Sequence, residues 1–216
     1  IDFGSYERVV VSSVVPDLEA VLKKEPLVFF VTADTIPVLS IQMEDPSEVG
    51  ADRLVTALAA YESVQGSCLV VDHGTALTFC YVDQNGGYQG GAIVPGMGIA
   101  SRSLNTYTAK IPLIQVSGHC QLVGKSTLEA VQTGLYHGYI DMVNGMIKRY
   151  QQMDPDVVVV GTGAGLDWGP GNLPSCCPPA TYFLPVPGEH RGTIHRSFGS
   201  FARNLVNIGE RMLNSS

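Results

Sequence analysis

The feature that most constrains the fold is a strand–turn–strand pattern at residues 69–78. An apolar run ends in Asp72. Gly74 and Thr75 then form a tight turn, and a second strand-like run begins at Ala76. A carboxylate at a strand end can hold a cation, while the glycine lets a phosphate approach the backbone and the threonine offers hydrogen-bond donors. The pattern predicts either a phosphate-binding turn or a plain hairpin.

Charge and apolar patterning argue against two classes of partner. The net charge is −7, and no cluster of lysine and arginine exceeds two consecutive residues. This balance argues against nucleic acid as a partner. No apolar run approaches the length of a membrane span, and no signal-peptide pattern follows Ile1. We therefore expect no membrane partner.

The cysteines indicate a reducing compartment. The chain has five, an odd number, and none has the spacing of a zinc site. Cys68 and Cys80 lie in apolar, strand-like runs, which predicts reduced core residues in a cytoplasmic protein.

Apolar periodicity predicts an α/β chain with a mixed sheet. The pattern predicts a helix from about Ser47 to Val64, and a second long helix with Ser126 as N-cap and Glu129 completing a capping box. Asp17 is a plausible N-cap of a shorter helix. Strands are predicted at residues 9–15, 27–31, 68–72, 76–82, 89–94 and 157–160, and further helices at 17–24, 98–105 and 201–213. Residues 167–199 are rich in proline and hold two adjacent cysteines; the sequence assigns no structure to them, and a connection of this kind is either functional or mobile.

Five motifs occur in order along the chain. They are GADR at residues 50–53, DHGTALT at 72–78, GGAIVPG at 90–96, TAKIP at 108–112 and GKSTLEA at 124–130. Together they resemble the type III pantothenate kinases, and the resemblance extends over about residues 9–165.

The resemblance implies an actin-like fold, made of two related ribonuclease-H-like halves with mixed sheets flanked by helices. Residues 1–66 would hold a partial N-terminal half with a linking helix, and residues 67–216 the C-terminal half. It implies ATP-dependent phosphorylation of pantothenate, the first step toward coenzyme A. It also implies Mg²⁺, a monovalent cation (K⁺ or NH₄⁺) and a homodimer.

On the acceptor side, the resemblance makes Asp52 the general base for the pantothenate hydroxyl. It places Gly50, Ala51 and Arg53 in contact with the substrate, where a guanidinium suits an anionic group. The alternatives are a helical aspartate paired with Arg53, a solvated helix charge, and small residues that serve close packing. Thr127 matches a substrate-contacting threonine that approaches the site of the other subunit; its alternative is plain helix capping.

On the nucleotide side, Asp72 matches the ligand of the monovalent cation and Thr75 a phosphate contact. Their alternative is a capped hairpin turn. Gly161 and Gly163 follow a buried strand and resemble the adenosine-side motif, although glycine-rich turns also occur without ligand. His73 is interpreted as a packing or solvent-contact residue.

The chain departs from the family pattern at three places. Asp2 and Gly4 match the family's first Asp-x-Gly phosphate motif, but a later strand follows almost at once, so most of the first half is missing. We expect that residues are absent between Gly4 and Val9; the alternatives are a true truncation, or residues 1–8 that are unrelated to the motif. Met43 stands where the family commonly has tyrosine near the substrate. Residues 167–199 match no residues of the family pattern.

Two other functions compete with the pantothenate kinase. One is an actin-like kinase that acts on another small hydroxyl substrate, which a change such as Met43 could signal. The other is a catalytically silent, regulatory paralogue. The presence of both Asp52 and Asp72 weighs against the silent protein, and the incomplete phosphate motif weighs for it.

Overall fold

The computed structural model describes residues 9–13, 16–36, 38–116, 120–163 and 182–183. Within them the chain alternates strands and helices, which confirms the α/β class. The helices are α1 (Pro16–Leu22), α2 (Ala51–Val64), α3 (Met97–Tyr107) and α4 (Thr127–Met153). The strands are β1 (Val9–Val11), β2 (Val28–Phe30), β3 (Ser40–Ile41), β4 (Cys68–His73), β5 (Ala76–Val82), β6 (Gly87–Pro95), β7 (Val158–Thr162) and β8 (Tyr182–Phe183).

The strands form two sheets. β1 and β2 pair in parallel, with Val9 opposite Val28. The second sheet has the order β3-β6-β5-β4-β7-β8, in which β3 runs parallel to β6 and β7 parallel to β8. Because β4 and β5 are neighbours joined by only two residues, the chain reverses between them, so this sheet is mixed.

The chain divides into two compact units. Among the described residues, the first comprises those from Val9 to Cys68 and Cys80–Gly90, and the second Leu69–Phe79 and those from Gly91 onward. The predicted division at residue 66 stays a prediction.

The core of the first unit is built around α2. Leu54, Ala57 and Ala60 recur at helical spacing and are fully buried. Cys68, Val82 and Tyr88 are also fully buried. α2 ends at Gln65, whose φ of 54° is left-handed, and its N–H donates to the Tyr61 carbonyl at 2.7 Å. The buried face fixes which way the start of α2 points.

The core of the second unit lies along the first halves of two strands and one face of the longest helix. Leu69, Val70 and Leu77 are fully buried, and Val143 and Ile147 of α4 are almost so. Pro95 at the end of β6 accepts a 2.6 Å hydrogen bond from the Tyr139 hydroxyl of α4. This bond joins α4 to the strand that leads into α3.

Several predicted boundaries need correction. α2 begins at Ala51 rather than near Ser47, because Pro46–Glu48 forms a separate 3₁₀ turn. Asp17 is not an N-cap, since α1 already begins at Pro16. The predicted strand at residues 9–15 extends only to Val11 within the described residues. The predicted helix at residues 201–213 lies outside them.

The predicted capping box of α4 is half right. The Ser126 hydroxyl accepts from the Glu129 N–H at 3.2 Å, so Ser126 is the N-cap. Glu129, however, accepts from the N–H of Lys125 at 2.7 Å rather than from Ser126. The carboxylate therefore caps one residue further back than the motif predicts.

Among the described residues, no helix is both long and apolar enough to cross a membrane.

Candidate active site

The motif of residues 50–53 lies at the very start of α2. Asp45 caps the preceding 3₁₀ turn, because its carboxylate accepts from the Ser47 N–H at 2.9 Å. Gly50 then forms the N-cap of α2, with no side-chain capping bond. The motif therefore opens the helix instead of lying inside it, and the first N–H groups of α2 point outward from an uncapped end.

Asp52 is exposed in the first turn of α2. Its Oδ1 accepts from the backbone N–H of Arg53 at 2.8 Å. Negative charge is favourable at this end of a helix, because the unpaired N–H groups carry partial positive charge. The carboxylate thus bonds to the backbone of Arg53 and not to its guanidinium, which differs from the Asp52–Arg53 side-chain pair considered as the alternative.

Arg53 is half-buried and fixed by two strands. Its Nε donates to Cys80 Sγ at 3.3 Å, and its Cζ lies 5.9 Å from the centre of the Tyr88 ring. Burial alone lowers the pKa of the guanidinium, but the hydrogen bond to Cys80 and the charges around it outweigh that effect and raise the pKa overall. The alternative of a solvated helix charge is therefore wrong.

A cleft in the first unit reaches the substrate motif. Its volume is about 450 Å³, and Gly50 and Ala51 lie in its lining together with Thr32 and Ser47. Small residues at this position leave the backbone at the start of α2 accessible from the cleft. A small hydroxyl-bearing molecule fits a space of this size.

The Gly74-Thr75 turn connects β4 to β5 as the sequence predicts. The N–H of Gly74 donates to the Ala76 carbonyl at 2.9 Å. The N–H of Gly96 donates to the Thr75 carbonyl at 3.0 Å, and a Cβ at Gly96 would collide with the carbonyls of both turn residues. Gly96 therefore holds the turn through direct backbone contact.

Asp72 lies against the glycine-rich end of β7. A Cβ at Gly163 would stand 2.5 Å from Asp72 Oδ1 and from the His73 carbonyl oxygen. Gly163 has a φ of 101°, a conformation that favours glycine. Gly161 belongs to β7 itself, which pairs with β8. Two of the predicted nucleotide-side positions, Asp72 and Gly163, are thus brought into contact.

The donor atoms that face Gly163 are oxygens, the ligand type that hard cations prefer. A carboxylate oxygen and a carbonyl oxygen face the same glycine, and both are oxygen donors suited to a weakly bound cation. Among the described residues, no group of three or more His, Cys, Asp and Glu could hold a metal ion. Asp72 Oδ1 and the His73 carbonyl oxygen are the atoms here that could hold a cation with oxygen ligands.

A second cleft, of about 640 Å³, opens beside the Gly74-Thr75 turn in the second unit. Met97, Gly98 and Arg102 of α3 also lie in its lining. The combination of a turn N–H, a hydroxyl and a guanidinium provides donors for phosphate oxygens.

His73 is a packing residue. It is 1% exposed and meets Tyr139 edge-to-face, with the ring centres 5.9 Å apart. Burial lowers the pKa of its imidazole, which favours the neutral form. Solvent contact, the other half of the prediction, is wrong.

Thr127 is the first residue of α4 and is exposed. Ser126 already supplies the N-cap, so capping does not require the Thr127 hydroxyl. Gly124 packs against this turn, where a Cβ would collide with the backbone of Glu129 and Ala130. The threonine is therefore displayed on a firmly held helix start.

Two of the predicted site residues lie outside the described part of the chain, and three residues that support the site were not predicted. Asp2 and Gly4 lie outside the described residues. The sequence did not reveal the supporting roles of Gly96, Cys80 and Tyr88. The role of Gly96 could have been suspected from the sequence, because this residue ends the GGAIVPG motif. Cys80 and Tyr88 contact Arg53 from strands that are distant in sequence, so no local pattern marks them.

The chain is similar to one family over most of its length. The family model described as type III pantothenate kinase matches residues 2–149. A type III pantothenate kinase from Geotalea daltonii is 38% identical over 77% of this chain and 68% of its own length. One from Moorella thermoacetica is 41% identical over 77% and 69%, and one from Koribacter versatilis 36% identical over 76% and 62%. The chain thus spans about two thirds of the length of the curated relatives it matches.

One solved structure shares the fold. A Baf family protein from Campylobacter jejuni superposes with a TM-score of 0.58, at 15% identity, over 97% of this chain and 85% of the other. This likeness bears on the fold alone.

Proposed function

The chain belongs to the type III pantothenate kinase family, and from that premise we propose that it transfers the γ-phosphoryl group of ATP to the primary hydroxyl of pantothenate. The product is 4′-phosphopantothenate, in the first step of coenzyme A biosynthesis. The observation that carries the proposal is the family match over residues 2–149, which contains the motif around Asp52 at an exposed helix start.

Asp52 acts as the general base. The pantothenate hydroxyl oxygen attacks the γ-phosphorus, the bond to the β-phosphate oxygen breaks, and ADP leaves. The hydroxyl proton passes to the Asp52 carboxylate. Exposure of this carboxylate at the helix start, with its one recorded hydrogen bond to a backbone N–H, supports the role.

The residues around Asp52 bind the acceptor. Gly50 and Ala51 line the cleft of about 450 Å³ and leave the backbone open to the substrate. Arg53 binds the carboxylate of pantothenate. Thr127 contacts the acceptor bound by a second copy of the chain, so the active species is a homodimer.

The nucleotide and its cations occupy the other set of residues. Thr75 donates to a phosphate of ATP, and Gly161 and Gly163 let the adenosine approach the backbone. Asp72 holds a monovalent cation, K⁺ or NH₄⁺, whose charge offsets that of the phosphates. Asp2 and Gly4 contact the phosphates with Mg²⁺; they lie outside the described residues.

Two further properties belong to the same proposal. The fold is the actin-like duplication of two ribonuclease-H-like halves, of which this chain carries the first in part. The protein works in the cytoplasm, where thiols such as those of Cys68 and Cys80, both free and buried, stay reduced.

A second candidate is an actin-like kinase with a different small hydroxyl acceptor. Met43 favours it, because it stands where the family commonly has tyrosine and packs on Gly90, where a Cβ would meet its sulfur at 2.7 Å. Gly90 has a φ of 88°, so the pair forms a locally specific arrangement.

The test is phosphorylation of pantothenate by ATP, with and without K⁺, in the wild type and in Asp52→Asn. We expect K⁺-dependent turnover that falls by about 10²- to 10⁴-fold in Asp52→Asn, because the variant has no base for the hydroxyl proton. Asp52→Glu is the matched control that keeps a carboxylate.

Other outcomes would decide against parts of the proposal. No turnover by a folded wild type would overturn the pantothenate assignment. Turnover of another small alcohol would then favour the second candidate, and none at all would favour the silent paralogue. Full activity in Asp52→Asn would refute the base assignment alone.

A further inference from the structure

The Arg53 side chain leaves the start of α2 and is held by two strands of the same unit. Cys80 of β5 accepts from its Nε at 3.3 Å, and the Tyr88 ring of β6 lies beneath its Cζ at 5.9 Å. Cys80 is 1% exposed and Tyr88 fully buried. The guanidinium therefore rests on a buried support instead of moving freely in solvent, as a surface arginine does.

The support is itself fixed. The Tyr88 hydroxyl donates to Cys80 Sγ at 3.4 Å, so the sulfur accepts hydrogen bonds from both Tyr88 and Arg53. β5 and β6 are neighbours in the sheet, which sets the separation of the two side chains. The thiol thus links a buried hydroxyl to a half-buried cation.

The contact also selects which nitrogens remain for a ligand. A guanidinium can offer a carboxylate either Nε with one terminal nitrogen, or both terminal nitrogens. Since Nε is directed at Cys80, the fork formed by Nη1 and Nη2 remains. This end-on fork can bind both oxygens of one carboxylate.

We propose that Cys80 is a positioning residue which, with Tyr88, holds Arg53 so that its two terminal nitrogens bind the carboxylate of the acceptor. The idea rests on the proposed function for the identity of the acceptor. Cys80 thus contributes to the preference for an anionic acceptor without contacting the acceptor itself. Holding the side chain in advance also reduces the entropy lost when the ligand binds.

The experiment compares an acid with a neutral analogue on the same protein. Calorimetry measures the dissociation constants of pantothenate and of its N-alkyl amide, with a non-hydrolysable ATP analogue present. The variants are Cys80→Ala, Cys80→Ser and Cys68→Ala. Cys68 is the matched control, because it is a fully buried cysteine of the adjacent strand that lies near Cys80 but, among the described residues, makes no hydrogen bond to Arg53.

We expect Cys80→Ala to weaken pantothenate binding about tenfold while amide binding changes little, because a hydrogen bond that orients a charged group is lost. Cys80→Ser keeps an acceptor and should retain part of the preference. Cys68→Ala should keep the wild-type ratio. The ratio of the two constants cancels any change in the folded fraction.

A second readout needs no ligand. NMR relaxation of the Arg53 Nε–H group should give a high order parameter in the wild type and in Cys68→Ala, and a low one in Cys80→Ala. An unchanged order parameter in Cys80→Ala, or an unchanged ratio of the dissociation constants of the acid and the amide, would overturn the inference.

The two levels of proposal can be told apart. Pantothenate binding with the expected ratio but without turnover would refute the kinase function and leave the role of Cys80 intact. Turnover with an unchanged ratio in Cys80→Ala would do the reverse. No binding of either ligand by the wild type would overturn both.

Discussion

The two carboxylates proposed to act in the reaction are held in opposite ways. Asp52 stands exposed at a helix start whose N-cap, Gly50, offers no side chain. Asp72 lies against the backbone of Gly163, beside a buried histidine and a turn that Gly96 holds. One is supported by few contacts and the other by many.

The difference separates what each region contributes. Few groups depend on the side chains of Gly50 and Asp52, so substitutions at these two residues should change activity more than stability. At the β4–β5 turn, backbones approach too closely to admit another atom, so substitutions there should unfold the protein first. Three predictions test this contrast, in order of their expected effect on stability.

The largest effect is expected from Gly163→Ala. The new Cβ would meet the Asp72 side chain and the His73 backbone at 2.5 Å, in a backbone conformation that L-residues rarely adopt. The free energy of unfolding should fall by about 3 kcal/mol or more. Urea denaturation measures it.

Gly134→Ala is the control for that change. Gly134 lies in α4, and its Cβ would meet nothing within 4 Å. The same substitution there should raise the free energy of unfolding by about 0.5–1 kcal/mol, because alanine favours a helix. Equal effects at both glycines would break the contrast.

His73 should make stability depend on pH. Burial lowers the pKa of its imidazole below the unfolded value of 6.5. Below about pH 6.5 the unfolded chain therefore binds a proton that the folded one resists, and stability falls until the folded imidazole also protonates. Above that pH its contribution is constant.

The measurement is the free energy of unfolding from about pH 8 to pH 5 in wild type and His73→Gln. The substitution itself should cost about 1–2 kcal/mol, as is usual for a buried side chain. Its curve should be flatter than that of the wild type below pH 6.5. Parallel curves would show that His73 does not cause the acid sensitivity.

The smallest effect on stability is expected from Gly50→Ser. A serine hydroxyl can cap the open N–H groups of α2, which should raise the free energy of unfolding by a few tenths of a kcal/mol. Gly50 lines the cleft of about 450 Å³, so the added side chain would take up part of the proposed acceptor space and kcat/KM should fall. A variant that is both more stable and fully active would contradict the role assigned to this helix start.

The sequence predicts the local elements of the site and misses their long-range support. The turn at Gly74 and Thr75 was predicted because turn chemistry is local. The start of α2 was placed too early, because Asp45 and Pro46 carry the same signals for a 3₁₀ turn as for a helix. The contacts of Arg53 with Cys80 and of Asp72 with Gly163 join residues far apart in sequence, and no local pattern encodes them.

That last separation has a consequence during synthesis. A ribosome adds about 5–20 residues per second, so Asp72 emerges several seconds before Gly163. Until β7 pairs with β4 in the sheet, the Asp72 carboxylate does not have the backbone of Gly163 beside it. The nascent chain therefore carries the proposed cation site in incomplete form until Gly163 emerges, and binding of the ion would favour only the complete state.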